Sequence, residues 1–123
     1  MYNLKSPKIF DIRERSFQFG VEIIKLIKSL PRDTAGFAIG GQVIRSGTSV
    51  GANIEEAQNS GSRKEFIHTL TIALKEARET EYWLKIINEV KLADQNLIEG
   101  LLLEVNELIK ILATIIKKTK INS

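Results

Sequence analysis

The sequence has no cysteine, so neither a disulfide framework nor a thiolate metal site can form, and a reducing compartment suits the chain. Histidine is almost as scarce, with His68 alone. One imidazole and no thiol remove most nucleophile–base pairs, and no Ser-His-Asp or Cys-His site is credible. Proline occurs only at positions 7 and 31, both plausible element boundaries. No apolar run approaches the roughly 18 residues of a membrane span. The first ten residues hold Lys5 and Lys8 but no apolar stretch, so they do not read as a secretory signal. The expected location is therefore the cytoplasm, with no membrane partner.

What remains is a chain of 123 residues, one domain by size and long enough for a core without a covalent or metal staple. The hydrophobic period is helical throughout, and no alternating strand pattern is sustained. Residues 11–30 form a first helical segment, with Asp11 as N-cap, Glu14 three residues on and Pro31 as stop. Thr34 is a candidate cap for a second segment reaching about residue 58. Ser62 with Glu65 makes a capping box for a third segment, to about residue 89, and Asp94 caps a fourth, to about residue 118. Short connections make neighbours antiparallel, giving an all-α, up-down four-helix bundle over 11–118. An N-terminal extension (1–10) and a polar C-terminal tail (119–123) flank it.

The second segment contains Gly36, Gly40, Gly41, Gly47 and Gly51, each costing about 1 kcal/mol against alanine inside a helix. At about 100° per residue, Gly40, Val43, Ile44, Gly47, Val50, Gly51 and Ile54 share one arc, with Gln42, Arg45, Ser49, Asn53 and Glu56 opposite. A loop would not keep that order. The segment reads as a helix with inward glycines that let a neighbour's backbone approach, frayed or broken near Gly40–Gly41.

Other helices carry more apolar surface than one bundle stripe requires. Phe17, Val21 and Ile24 widen the first helix beyond Ile12, Phe19, Ile23, Leu26, Ile27 and Leu30. The fourth adds Ile98, Leu102, Ile109 and Ile116 to its main stripe. The third has Phe66, Ile67, Leu70, Leu74, Ala77 and Leu84 on one face, and Ile72, Trp83, Ile86 and Val90 roughly opposite. That second stripe is the expected oligomer interface, and a homo-oligomer the expected assembly. The alternative is an irregular bundle that covers both stripes internally.

Motifs for chemistry are weak. Glu65 and His68 have the Glu-x-x-His spacing of di-iron bundles, which need a second copy and further carboxylates. Residues 47–51 lack the lysine and spacing of a phosphate-binding loop. Glu55, Glu56, Glu76, Glu79 and Glu81 read as ion-pair partners, with Lys75–Glu79 and Glu81–Lys85 at i,i+4. Glu81 and Asn88 fall within the apolar arc and are candidates for a buried network with Arg45. No catalytic residue, metal, cofactor or small-molecule substrate is expected. The net charge is +3, from 18 Lys and Arg against 15 Asp and Glu, which permits a nucleic-acid partner without demanding one. Lys25, Lys28 and Arg32 cluster at the end of the first helix, and Lys117, Lys118 and Lys120 at the end of the fourth. These are the candidate nucleic-acid contacts, although an up-down bundle puts the two clusters at opposite ends. Of the aromatics, Tyr2, Phe10 and Tyr82 are free to stack on bases.

Long strings of this sequence are recognisable: 10–13 (FDIR), 45–57 (RSGTSVGANIEEA), 66–68 (FIH) and 73–84 (ALKEARETEYWL). Over roughly 10–112 the chain resembles the bacterial family of the 23S rRNA intervening sequence protein. The resemblance implies an antiparallel four-helix bundle assembled as a homopentamer, with no established catalytic residues. The bundle is also similar to the accessory variability protein of diversity-generating retroelements, a basic pentamer that engages nucleic acid and a reverse transcriptase. The expected function is a non-enzymatic oligomeric bundle that binds RNA or a ribonucleoprotein through basic surface. The alternative is a protein-interaction scaffold whose charges only solubilise it, and a carboxylate enzyme or metal site ranks third.

Overall fold

The structure, a computed structural model, describes residues 7–122, with side chains from Asp11 onward. Four helices follow one another: α1 (Pro7–Ser29), α2 (Thr34–Ala57), α3 (Arg63–Glu89) and α4 (Gln95–Ile121). No strand occurs among the described residues. Each helix packs on its chain neighbours, α4 returns to α1, and the diagonal pairs stay apart. Gly51 on α2 backs onto Ser16 of α1, while Gly40 backs onto Ile27 and Leu30, so these neighbours run antiparallel. This is the all-α, up-down bundle that the helical periodicity and short connections imply.

Local chemistry explains where each helix begins. Ser62 Oγ accepts the Glu65 N–H at 3.1 Å, and the Glu65 carboxylate accepts the Gly61 N–H at 2.6 Å. Asp94 accepts the Leu97 N–H at 3.1 Å. Both caps match the sequence reading, and two other starts differ from it. α1 begins at Pro7, whose fixed φ suits a first helical position, so Asp11 lies inside the helix and its carboxylate faces Arg15 at 3.8 Å. Asp33 rather than Thr34 caps α2: its backbone is extended and its carboxylate accepts the Gly36 N–H at 2.8 Å. α2 also runs unbroken through Gly40 and Gly41. At its far end α4 reaches Ile121 and buries Thr119, so the helix takes in the first residues of the expected polar tail. Tyr2 lies outside the described residues, as does the side chain of Phe10.

All four helices feed one core. Phe19, Ile23 and Leu26 meet Val43, Val50 and Ile54 from α2, Phe66, Leu84 and Ile87 from α3, and Ile98, Val105, Leu108 and Leu112 from α4. Each such side chain contributes about 1.5–3 kcal/mol relative to leaving it exposed. Of the expected inward arc of α2, Ile44 is the exception: it is exposed, beside α1. Ser46 takes an inward place instead, where its Oγ lies 2.9 Å from Thr80 Oγ1, and Thr80 donates to the Glu76 carbonyl at 2.8 Å. No buried side-chain polar atom among the described residues lacks a partner.

Candidate functional site

Arg45 projects from α2 toward α3 and holds two carboxylates at once. Its Nη1 donates to Glu76 at 3.2 Å and its Nη2 to Glu79, with Gln42 accepting a further bond at 3.2 Å. Glu79 also accepts the Trp83 indole N–H at 3.0 Å. Two expectations change with this geometry. Arg45 pairs with Glu76 and Glu79, not with Glu81, which faces Lys85 at 3.9 Å and lines the α3–α4 groove beside Asn88. Glu79 is taken by Arg45, so the Lys75–Glu79 pair does not form. Inter-helix register decided this, because α2 brings a cation nearer than the local helix does. The network is an ion-pair clasp between helices. His68 is exposed, and no group of three or more His, Cys, Asp or Glu side chains among the described residues is placed to hold a metal ion.

A second clasp joins α1 to α4. Arg15 donates from Nε and Nη2 to the two oxygens of Glu104, at 3.0 and 2.7 Å. These hydrogen bonds raise the Arg15 pKa above the usual guanidinium value; burial opposes the shift, while the charges of Glu104, Asp11 and Glu107 add to it. The pair spans a groove of about 450 Å³ lined by Glu14, Gln18, Phe19, Glu22, Leu97 and Gly100. Its carboxylates give this side of the bundle an acidic character.

The candidate nucleic-acid residues stay in two groups. Lys25, Lys28 and Arg32 lie at the α1–α2 turn, and Lys117, Lys118 and Lys120 at the far end of α4, roughly 30 Å away along helices of this length. Lys25 is tied to Glu22 at 3.1 Å. Lys28, Arg32, Arg63, Lys64, Lys75, Arg78, Lys91, Lys110, Lys117 and Lys118 form no ion pair among the described residues. Sequence reasoning grouped cations by proximity along the chain and did not single out Lys64, Lys75 and Arg78 on α3. Their regular helical spacing was the available signal.

Of the expected interface stripe, Ile72 and Val90 are exposed, whereas Trp83 and Ile86 are half-buried. Trp83 packs on the core margin and meets Tyr82 edge-on, with ring centroids 5.0 Å apart. A second apolar surface runs along α1 and α2. Its lower part is a groove lined by Phe17, Gly20, Val21, Ile24, Thr48 and Ala52. Its upper part is a recess lined by Ile27, Pro31, Phe37, Gly41 and Ile44. Phe17 is 62% and Phe37 68% exposed on this surface. The unusual width of the α1 apolar arc was its trace in the sequence.

The fold and its surfaces define an all-α four-helix bundle whose charged networks join neighbouring helices. Residues 8–114 match the family model described as 23S rRNA-intervening sequence protein, and the chain belongs to that family. It is similar to the crystal structure of a protein with unknown function from the S23 ribosomal protein family of Bacteroides thetaiotaomicron VPI-5482. The two are 41% identical with a TM-score of 0.83, over 89% of this chain and 98% of that one. No curated protein matches. Among the described residues no helix is long and apolar enough to cross a membrane.

Proposed function

We propose that this chain is a non-enzymatic, self-associating bundle of the cytoplasm that holds RNA, or a ribonucleoprotein, by its phosphate backbone. The observation that carries the reading is the imbalance between cations and anions. Eight of the 15 carboxylates are engaged by Arg13, Arg15, Arg45 or a helix cap, whereas ten lysines and arginines form no ion pair among the described residues. Unpaired surface cations multiplied by assembly make a polyanion binder. The test is a titration of labelled RNA with the intact protein at several salt concentrations. Binding that weakens linearly in log–log form with salt supports the reading, and no binding at low salt removes it.

For assembly, the partner is a second copy of the chain. The α1–α2 apolar face of one copy receives the Ile72, Trp83, Ile86 and Val90 stripe of the next, a head-to-tail contact between different patches that closes into a ring. The resemblance sets the expected ring at five copies. The same apolar faces favour the second reading, a protein-interaction scaffold without nucleic acid, which stands if the RNA titration fails while the assembly forms.

A further inference from the structure

Lys85 on α3, with Leu103 and Asn106 on α4, lines the groove between these two helices. Residues seven apart return to nearly the same side of a helix, drifting about 20° per heptad. Stepping back from Lys85 by heptads gives Arg78, Thr71 and Lys64. Stepping forward from Leu103 by two heptads gives Lys117, and two heptads from Asn106 gives Lys120, whereas Lys110 lines a pocket with Asp11 of α1 and Ile111 on the other side of α4. α3 and α4 are antiparallel, so the heptad positions of Lys64, Arg78, Lys117 and Lys120, with Lys75 one turn from Arg78, fall along the half of the groove nearest the α2–α3 turn.

The carboxylates of this half turn elsewhere. Glu65 accepts the Gly61 N–H at the α2–α3 turn, Glu76 is on Arg45 of α2, and Glu107 acts on Arg15 of α1. Past Glu107 the sequence has no acidic residue at all. Lys118, by the same heptad rule from Glu104 and Ile111, lies on the α1 side of α4.

We infer that this half of the α3–α4 groove, bordered by Lys64, Lys75, Arg78, Lys117 and Lys120, is a track for a nucleic-acid phosphate backbone. The inference rests on the proposed RNA-binding function and assigns it a place. From Lys64 to Arg78 the track runs about 20 Å at the helical rise of about 1.5 Å per residue, enough for several phosphates. Phe66 is buried and Tyr82 lies beyond the upper end, so no described aromatic side chain offers a stacking surface along it. The track therefore reads charge and not bases.

The test compares two variants of the full chain, Lys64→Gln/Lys75→Gln/Arg78→Gln/Lys117→Gln and Lys25→Gln/Lys28→Gln/Arg32→Gln. Each is titrated with labelled 20-nucleotide RNA and DNA of three base sequences, across a range of salt. The first variant is expected to lose at least tenfold in affinity on every sequence. Its log–log salt slope should flatten by about 3, from about 0.7 per phosphate contact on a single strand. The second, at the opposite end of the bundle, should lose clearly less than the first, and the three sequences should stay within threefold of one another. The RNA and DNA arms identify which backbone the track takes. If the second variant loses affinity and the first does not, the track is wrong although RNA binding survives. Absence of binding by the parent at low salt removes both. Tenfold preference among base sequences overturns a backbone track. So does a change in oligomeric mass of the first variant by light scattering, which would make this face a contact between copies.

Discussion

Ile23 of α1 occupies the space that a side chain on Gly47 of α2 would need: a Cβ at position 47 would come within 2.8 Å of Ile23 Cγ1 and 3.0 Å of Cγ2. Both atoms branch close to the Ile23 backbone and Ile23 is fully buried, so neither swings away. Gly47→Ala should therefore destabilise by up to about 2 kcal/mol, overpacking of about 1–3 kcal/mol being set against the helix-propensity gain of about 1 kcal/mol. At Gly41 an added Cβ meets nothing within 4 Å, and Gly41→Ala should stabilise by up to about 1 kcal/mol. Denaturant melts of the two variants should move in opposite directions; a shift of the same sign contradicts the inward-glycine account.

Gly36 serves the α1–α2 turn in another way. A Cβ there would lie 1.8 Å from the Pro31 carbonyl oxygen, a clash with backbone that no rotamer relieves. Gly36→Ala should cost more than about 3 kcal/mol, at the large end of single substitutions. Asp33→Ala, which removes only the cap on the Gly36 N–H, should cost about 1 kcal/mol. Thermal melts separate the two, and equal costs would show that the turn yields easily.

The Arg15–Glu104 pair is the ion pair that joins α1 to α4 among the described residues. Two parallel hydrogen bonds at partial burial place it at the upper end for surface pairs, so a double-mutant cycle with Arg15→Ala and Glu104→Ala should give a coupling of about 1 kcal/mol. Because the Arg15 pKa is raised, its contribution is fully present below the unfolded guanidinium value and is lost only as pH rises through the higher folded one. Alkaline buffers in ordinary use should leave the coupling intact. A cycle that closes to zero would make the pair ornamental.

Much of the bundle was legible because helix periodicity, Ser62–Glu65 and Asp94 are local signals. The start of α1 was not: Asp11 and Glu14 imitate a capping box, while Pro7, a good first residue, lies a turn earlier. At α2 two adjacent residues, Asp33 and Thr34, are both cap formers, and only the extended backbone at Asp33 decides. Arg45 was assigned to Glu81 because one helix's arc does not reveal the register of the next. The α1–α2 apolar face left only a partial trace, the wide apolar arc of α1, since the face joins residues of two helices that adjacency in sequence never pairs.

The proposed head-to-tail assembly makes a prediction that a symmetric contact does not. Phe17→Glu disables the α1–α2 face and Ile72→Glu disables the α3 stripe; both positions are exposed, so folding should survive either change. Each variant alone should elute near the subunit mass of 13.8 kDa, with the parent several times larger by light scattering. Mixed in equal amounts, the two variants still own one sound copy of each patch, the α3 stripe on the Phe17→Glu chain and the α1–α2 face on the Ile72→Glu chain. They should form a one-to-one heterodimer and stop there, because the outer patches of that pair are the disabled ones. In a self-complementary dimer through the α1–α2 face alone, Ile72→Glu would leave assembly untouched and mixing would rescue nothing. A parent that runs as a monomer at micromolar concentration would refute self-association itself.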